Sequence, residues 1–526
     1  MAQWRPISGR KREVIEFNGG LNYHAPAASI KDNQLSYTMN MDTKDFPALS
    51  VRPGRSRDFI APLASSQDLQ AYGIAEDRYH LLGGERELFA VDVKASGAST
   101  GIYTISTGLS GDYPLGGHAG FAELKTGLTN YVAYVNSTQK KLFQTSPAVT
   151  TAVDISDTNL PSAAGIIAGF KGRVYALYNK ILYYSALNAP TDWTTANDAG
   201  SIAVTNMVGI ESALVEYNDN LIIFGARSMH ILYGSGPGTY QIVDLEGNIG
   251  CYGPRAFVKS SGKLFWIDRY GIYMYGGGEV IRISESVQRY VNGFTDVRAW
   301  VEVGVTGAYV AGAQGKYVYF SVSGVDYGST GGNFSLTLKY DTELNVWLCE
   351  DTYFTFMQSM QGRLTGVRQG FPAAADNTLT YVRDEQYVYD FYSTATRANS
   401  SNHTPISWSF ITKAFNDGVA GEHKTISDMY ATFKITPSRS TGFSIGYSTL
   451  AEDNDSTAFT GSTVAGSSDP YVLFTTNAAG SSNTQNRHIQ IPVGKLQNVP
   501  WYRLRFAGSG PATINSLEKN LRVKRR

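Results

Sequence analysis

Several residues in this chain have the type and spacing for chemistry. Ser99, in GASTG (97–101), sits where a G-x-S-x-G nucleophile elbow would put its serine. That elbow needs a strand before the serine and a helix after it. Here FAVDVK precedes and IYTIST follows, so both flanks read as strand and the segment reads as a hairpin tip. Cys251, in GNIGCYGP (247–254), would become a nucleophile if a histidine lowered its pKa. His230 is the only histidine in the preceding repeat, yet an isolated cysteine is more often a small buried residue. Gly250 and Gly253 are expected to supply backbone angles closed to other residues, and Pro254 to fix the start of the next strand.

Metal and phosphate chemistry find little to use. No two His or Cys stand at ligand spacing, and H-E-x-x-H and C-x-x-C are absent. EDNDS (452–456) begins like a calcium loop but lacks the following Gly and the terminal Glu. YGGGE (275–279) follows a strand without opening a helix, so it reads as a turn. Asp219, Asp268 and Asp341 are carboxylates near turns, where hairpin chemistry already accounts for them. Trp266, Tyr270, Tyr273 and Tyr275 read as sheet core rather than a sugar platform. The basic runs RKR (10–12) and KRR (524–526) read as solvated terminal charge. No catalytic residue, cofactor site or metal site is assigned.

The elements that would carry these residues are strands. The 526 residues exceed one hydrophobic core, and Gly 54 with Tyr 34 suits many short strands and tight turns. Lys+Arg 45 against Asp+Glu 45 excludes a whole-chain basic field for gripping nucleic acid. Two cysteines, Cys251 and Cys349, allow at most one bridge. MAQWRPISGRKREV lacks an apolar signal core, and no run approaches the roughly 20 apolar residues of a membrane helix, so a soluble protein made in a cytosol is expected.

Residues 1–60 read as an extended N-terminal arm, with one short helix begun by Asp32 and segments able to pair with strands much later in the chain. Residues 61–398 repeat alternating apolar runs closed by polar turns, such as VYALYNKILYY (174–184) and VKSSGKLFWIDRYGIYMY (258–275). The spacing, roughly 40 to 55 residues, is that of a four-stranded blade and predicts a β-propeller of six or seven blades. ISESVQRYVNGF (283–294) predicts a helix with Ser284 as N-cap, Gly293 near its end, and Val287, Tyr290, Val291 and Phe294 on one face. Residues 399–526 carry longer strands between Ser/Gly/Asn/Thr loops and predict an antiparallel β-sandwich of jelly-roll type. The fold class is all-β.

The order of the pieces carries more than any one of them. GGLN (19–22), IKDNQ (30–34), NMD (40–42) and ALSVRPG (48–54) come first. APTDWTTAN (189–197), IESALVEYNDNLIIFGARSMHILYG (210–234), the segment 247–278 and IRISESVQRYV (281–291) follow, and FITKAFNDGVAGEHKTI (410–426) opens the last domain. This succession resembles the β-propeller virion proteins of tailed bacteriophages, in particular the tail nozzle or tail hub proteins of short-tailed phages. The resemblance is clearest over 19–54 and 189–291.

It implies a structural, non-enzymatic subunit of a homo-oligomeric ring, usually a hexamer, in the phage tail. Its partners would be adaptor and portal-proximal proteins, tail fibres, and packaged double-stranded DNA passing through the channel without specific binding. A neutral chain suits a conduit, because each retained Lys or Arg contact to phosphate would slow ejection. In the resembling proteins the G-C-x-x-P segment links two blades, which makes Cys251 a packing residue. The alternatives are a propeller glycan hydrolase or lyase, which needs two carboxylates converging in a pocket, and a receptor-binding tail component built on the C-terminal domain.

Overall fold

A computed structural model describes residues 11–60, 69–109 apart from 85 and 95–100, 119–291 apart from 137 and 289, 309–325, 333–368 apart from 353, 387–393, 405–417, 424–435, 442–449, 472–476 and 485–523 apart from 498.

The chain is all-β, and among the described residues it forms seven four-stranded antiparallel sheets and two larger ones. Sheet 1 is Leu69–Ala75, Tyr79–Gly84, Leu88–Asp92 and Ile102–Ser106. Sheet 2 is Gly120–Thr126, Thr129–Val135, Lys140–Ser146 and Val153–Asp154. Sheet 3 is Ile166–Phe170, Arg173–Tyr178, Ile181–Tyr184 and Gly200–Ala203. Sheet 4 is Glu211–Tyr217, Asn220–Gly225, Ser228–Tyr233 and Gln241–Gly247. Sheet 5 is Phe257–Ser260, Lys263–Asp268, Gly271–Tyr275 and Val280–Arg282. Sheet 6 is Tyr309–Gln314, Tyr317–Val325, Asn333–Asp341 and Val346–Glu350. Sheet 7 takes Phe356–Met360, Arg363–Arg368 and Tyr387–Ser393, and its fourth strand is Gly54–Ile60 from the arm.

Tight two-residue turns set the hairpin register. Between Phe257–Ser260 and Lys263–Asp268, Ser261 and Gly262 both have positive φ (50° and 71°). That is the backbone twist a two-residue hairpin requires, and the same pairing recurs at Lys171–Gly172, Asn218–Asp219 and Gln361–Gly362. The inner strands are not half-buried, as their alternation suggests. Tyr79–Gly84 is buried at every position and Lys263–Asp268 at all but Lys263, because sheets stack on both faces. Exposure appears on fourth strands, such as Val153–Asp154 and Gln241–Gly247.

Neighbouring sheets pack through their first strands, except that sheets 4 and 5 meet through a side-chain cluster, and the series returns on itself. Sheets 4 and 5 share a cluster in which Phe224 meets Trp266 at 5.4 Å between ring centroids, and Tyr217 donates to the Gly262 carbonyl at 2.7 Å. Sheets 7 and 1 enclose Leu69, Tyr72, Leu82, Phe89, Val91, Phe356 and Val367. There the Tyr72 hydroxyl bonds Thr365 Oγ1 at 2.7 Å. Sheet 1 is thus held to the sheet that the arm completes.

The two larger sheets also draw on both ends of the chain. One orders Met41–Asp42, Leu49–Val51, Ala512–Val523, Lys424–Ile435 and Gln485–Gln490, with Lys11–Ile15 also paired to Ala512–Val523. The other orders Leu35–Met39, Ser407–Thr412, Arg503–Ser509, Gly442–Ser448 and Val472–Thr476. A single cluster lies between them, with Phe410 stacked on Phe506 at 4.7 Å and Phe17 against both. Leu348 of sheet 6 joins that cluster, so the two parts of the molecule share a core.

One helix expectation is corrected and another is met in part. Asp32 lies in a turn, not at a helix start. Around Ser284 the structure has a 3-10 turn, Glu285–Val287, followed by helical backbone at Gln288, Tyr290 and Val291. Ser284 makes no capping bond. Its hydroxyl donates to Gln288 Oε1 (2.7 Å) and accepts from the Ile272 N–H (3.0 Å), tying the turn to sheet 5. Val287 and Val291 are buried and Tyr290 packs beside them; Gly293 and Phe294 lie outside the described residues.

Candidate functional site

The arrangement closest to catalytic chemistry is one the sequence reading did not assemble. Ser228, His230 and Asp244 form a Ser-His-Asp relay in sheet 4. Ser228 and His230 stand two apart on one strand, hence on one face, and His230 is the cross-strand partner of Asp244. His230 Nδ1 donates to Asp244 Oδ1 at 2.8 Å, and Ser228 Oγ meets Nε2 at 3.0 Å. The S-x-H spacing was legible; the partner strand was not.

The connectivity is that of a nucleophilic triad, but the exposure is reversed. Ser228 is 2% exposed, while the Asp244 side chain is 52% exposed. Ser228 Oγ also accepts the Val208 N–H at 2.9 Å, and a strand rather than a helix follows the serine. Asp244 is held below its usual range by hydrogen bonds from Asn206 and His230. The relay therefore fastens the 207–210 connection to sheet 4 and presents no nucleophile.

Cys251 lies in the connection from sheet 4 to sheet 5 and is buried. Its thiol donates to the Gly253 carbonyl at 3.3 Å, and burial pushes its pKa up to about 12. Both ring nitrogens of His230 are engaged elsewhere, so no Cys–His pair forms. The glycine expectation is corrected here. Neither Gly250 nor Gly253 has positive φ; Asn248 does, at 71°. Gly250 is required by close approach, since a Cβ there would meet the Gly225 carbonyl oxygen at 2.3 Å, whereas Gly253 faces open space.

The remaining candidates disperse. Ser99, EDNDS (452–456) and KRR (524–526) lie outside the described residues. The segment holding Ser99 joins two antiparallel neighbours of sheet 1. Tyr275–Glu279 forms the turn into Val280–Arg282. In RKR, Arg12 pairs with Glu518 at 2.8 Å. Trp266, Tyr273 and Tyr275 are core, but Tyr270 is 48% exposed at a hairpin tip, against expectation. Asp219 sits in a turn beside Lys171 (3.1 Å). Asp268 is buried and raised to about 6 by desolvation, which outweighs hydrogen bonds from the Arg269, Gly250 and Tyr270 backbone. Burial would raise Asp341 too, but Lys316 at 2.8 Å and Thr43 at 2.7 Å hold it below its usual range. These three carboxylates belong to sheets 4, 5 and 6, each with its own neighbours. No group of three potential metal ligands occurs among the described residues.

Buried charge is concentrated where the arm meets sheet 6. Asp42 Oδ2 accepts from Lys339 Nζ at 2.5 Å and Oδ1 from the Tyr317 hydroxyl at 2.8 Å. Lys339 Nζ also lies 3.8 Å from the Tyr317 ring centroid. Arg52 Nε donates to Asn40 Oδ1 (2.8 Å), and Arg55 pairs with Glu350 and Thr352. Such charges survive out of water because each is paired. Upstream, Gly20 of the GGLN motif has φ 69°, and a Cβ there would fall 2.5 Å from Val346 Cβ. The Leu21 N–H then bonds the Trp347 carbonyl (2.8 Å), and Tyr23 stacks on Tyr290 at 4.3 Å. GGLN, NMD and ISESVQRYV, far apart in the chain, thus converge on one side of sheet 6.

No protein-family profile matches the chain, and no curated protein matches it. The solved structures it matches are distant. The AfRom2 CNH domain is 9% identical, with 64% of this chain and 98% of that chain covered and a TM-score of 0.38. The extracellular domain of BT4673 from B. thetaiotaomicron is 10% identical, with 81% and 56% covered and a TM-score of 0.40. Kluyveromyces lactis Hsv2 is 8% identical, with 54% and 97% covered and a TM-score of 0.26.

Proposed function

We propose that this protein is a structural subunit of a bacteriophage tail nozzle or hub: a seven-bladed β-propeller joined to a C-terminal β-sandwich, assembling with copies of itself into a ring through which the genome leaves the particle. The seven four-stranded sheets are its blades, and the arm strand Gly54–Ile60 closes the propeller by completing the last blade with Tyr387–Ser393. The observation that carries the reading is the ordered motif set, of which GGLN and NMD meet sheet 6 through the close approach of Gly20 to Val346 and the buried Asp42–Lys339 pair.

The balance of charge supports a conduit. With 45 basic and 45 acidic residues the chain carries no net positive charge to hold phosphate, and Arg55 and Lys339 beside the arm are spent on internal carboxylates. A subunit whose arm is woven into both parts of the fold is also suited to transmit load without a catalytic step. Residues that look reactive are buried, Ser228 at the start of a strand and Cys251 in a connection.

Electron microscopy of the purified full-length chain, and of particles from cells producing its phage, tests the proposal. A closed ring with a central channel, occupied by antibody-labelled copies at the tail, is the expected result. A monomer at all concentrations with no labelled particles would sink it. Loss of host polysaccharide on incubation with the protein would instead favour the hydrolase or lyase alternative.

A further inference from the structure

The C-terminal sheets hold a second buried cluster, of a different kind. Lys519 lies in the strand Ala512–Val523, directly opposite Glu13 of Lys11–Ile15. Its ammonium, 1% exposed, contacts the Asp417 carboxylate, 2% exposed, and Glu13 Oε2 lies 3.1 Å away. The walls are aromatic: Lys519 Nζ is 4.1 Å from the Phe415 ring centroid and 5.9 Å from that of Tyr502. Asp417 is presented by a backbone with φ 49°, just after a bridge in which the Phe415 N–H bonds the Tyr502 carbonyl at 2.9 Å. Tyr502 is kept as the neutral phenol, first by burial and then by the neighbouring Asp417.

An amine held against a carboxyl group, away from water, with a second carboxyl group beside both, has the parts for amide formation. We propose that Lys519 and Asp417 condense spontaneously to an isopeptide bond, with Glu13 as the proton carrier. Lys519 passes one proton to the Asp417 carboxylate, giving a neutral amine and a neutral acid. The amine nitrogen attacks Asp417 Cγ and a C–N bond forms. Glu13 takes a proton from that nitrogen and delivers it to the departing hydroxyl, the C–O bond breaks, and one water leaves. An ammonium and a carboxylate become an amide and water; charge is conserved, Glu13 is regenerated and no oxidant enters. Glu13 also lines an open groove with Glu16, Asn18 and Asp32, which gives the water an exit.

The bond would fasten residue 417 to the final strand across 102 residues, so that pulling on the C-terminal sheets could not peel that strand away. The chemistry does not depend on where the protein works. The test is the intact mass of the full-length chain under denaturing conditions, followed by peptide mapping. The expected mass is that of the sequence less one water molecule, with a branched peptide joining the side chains of 417 and 519. Lys519→Arg and Asp417→Ala should restore the full sequence mass. Glu13→Gln, which leaves the other two groups in place, should do so as well. A wild-type chain at full mass with only linear peptides would overturn the proposal and leave a buried ion pair. Water loss mapped elsewhere would also overturn it, and a cross-linked Glu13→Gln chain would remove Glu13 from the mechanism.

Discussion

Asp42 and Lys339, 297 residues apart in the chain, meet in a buried ion pair of 2.5 Å. One lies in the arm and the other in the third strand of sheet 6, so the pair records how the N-terminus is seated. Removing one partner strands the other charge away from water. Asp42→Ala should therefore destabilise by about 3–5 kcal/mol, and pairing it with Lys339→Met should recover part of the loss. Denaturant midpoints of the two single variants and the double variant give the coupling directly.

The connection at 247–254 makes a sharper steric prediction. Gly250→Ala forces a Cβ against the Gly225 carbonyl and should cost on the order of 1–3 kcal/mol. Gly253→Ala meets nothing within 4 Å and should be near neutral. Thermal melts of the two variants should separate clearly; equal melts would mean that close approach does not decide Gly250.

Thiol chemistry is predicted to be silent. Burial raises Cys251 to about 12 and Cys349 well above the ordinary thiol range, so neither supplies thiolate near neutral pH. Iodoacetamide should label neither in the folded chain and both after unfolding. Cys251→Ser should leave assembly unchanged; rapid labelling of native Cys251 would restore the case for a reactive thiol.

Asp268 gives a pH dependence of defined sign. Its folded pKa, about 6, lies above the ordinary 3.8, so the folded chain takes up the proton first. The cost of the buried carboxylate is present above that value, and stability rises as pH falls from about 6 towards 4. Relative to Asp268→Asn, the wild type should gain about 2–3 kcal/mol across that window. Urea midpoints of both proteins at several pH values check this, and parallel curves would refute it. Asp341 runs the other way: its folded pKa is depressed, so its contribution is lost as pH falls.

Much of the architecture was legible because strands and turns are local. Alternating apolar runs, with Asn-Asp, Lys-Gly or Ser-Gly between them, mark hairpins that form wherever the chain finds neighbours. GNIGCYGP reads correctly as a connection, since glycine and proline punctuate backbone. Tyr270 was misread because its neighbours at 266, 273 and 275 share a pattern that a hairpin tip does not follow. The helix expected at 283–294 is met in part: 285–291 turn helically apart from the undescribed 289, Ser284 stands at the N-cap position, and 292–294 lie outside the described residues. Its apolar spacing is real, but Ser284 is drawn to Ile272 and Gln288 instead of to the helix start.

The sequence by itself determined the class of the fold, the repeat, the neutral charge and the absence of spaced metal ligands, all of which rest on composition and short-range periodicity. Only the tertiary structure decided which distant residues meet. Strand pairing and charge burial depend on contacts hundreds of residues apart, and no local signal encodes their partners. That is why Ser228, His230 and Asp244 form a relay with its serine sealed. It is also why Gly54–Ile60 completes a sheet with Tyr387–Ser393, and why Glu13, Asp417 and Lys519 share one pocket.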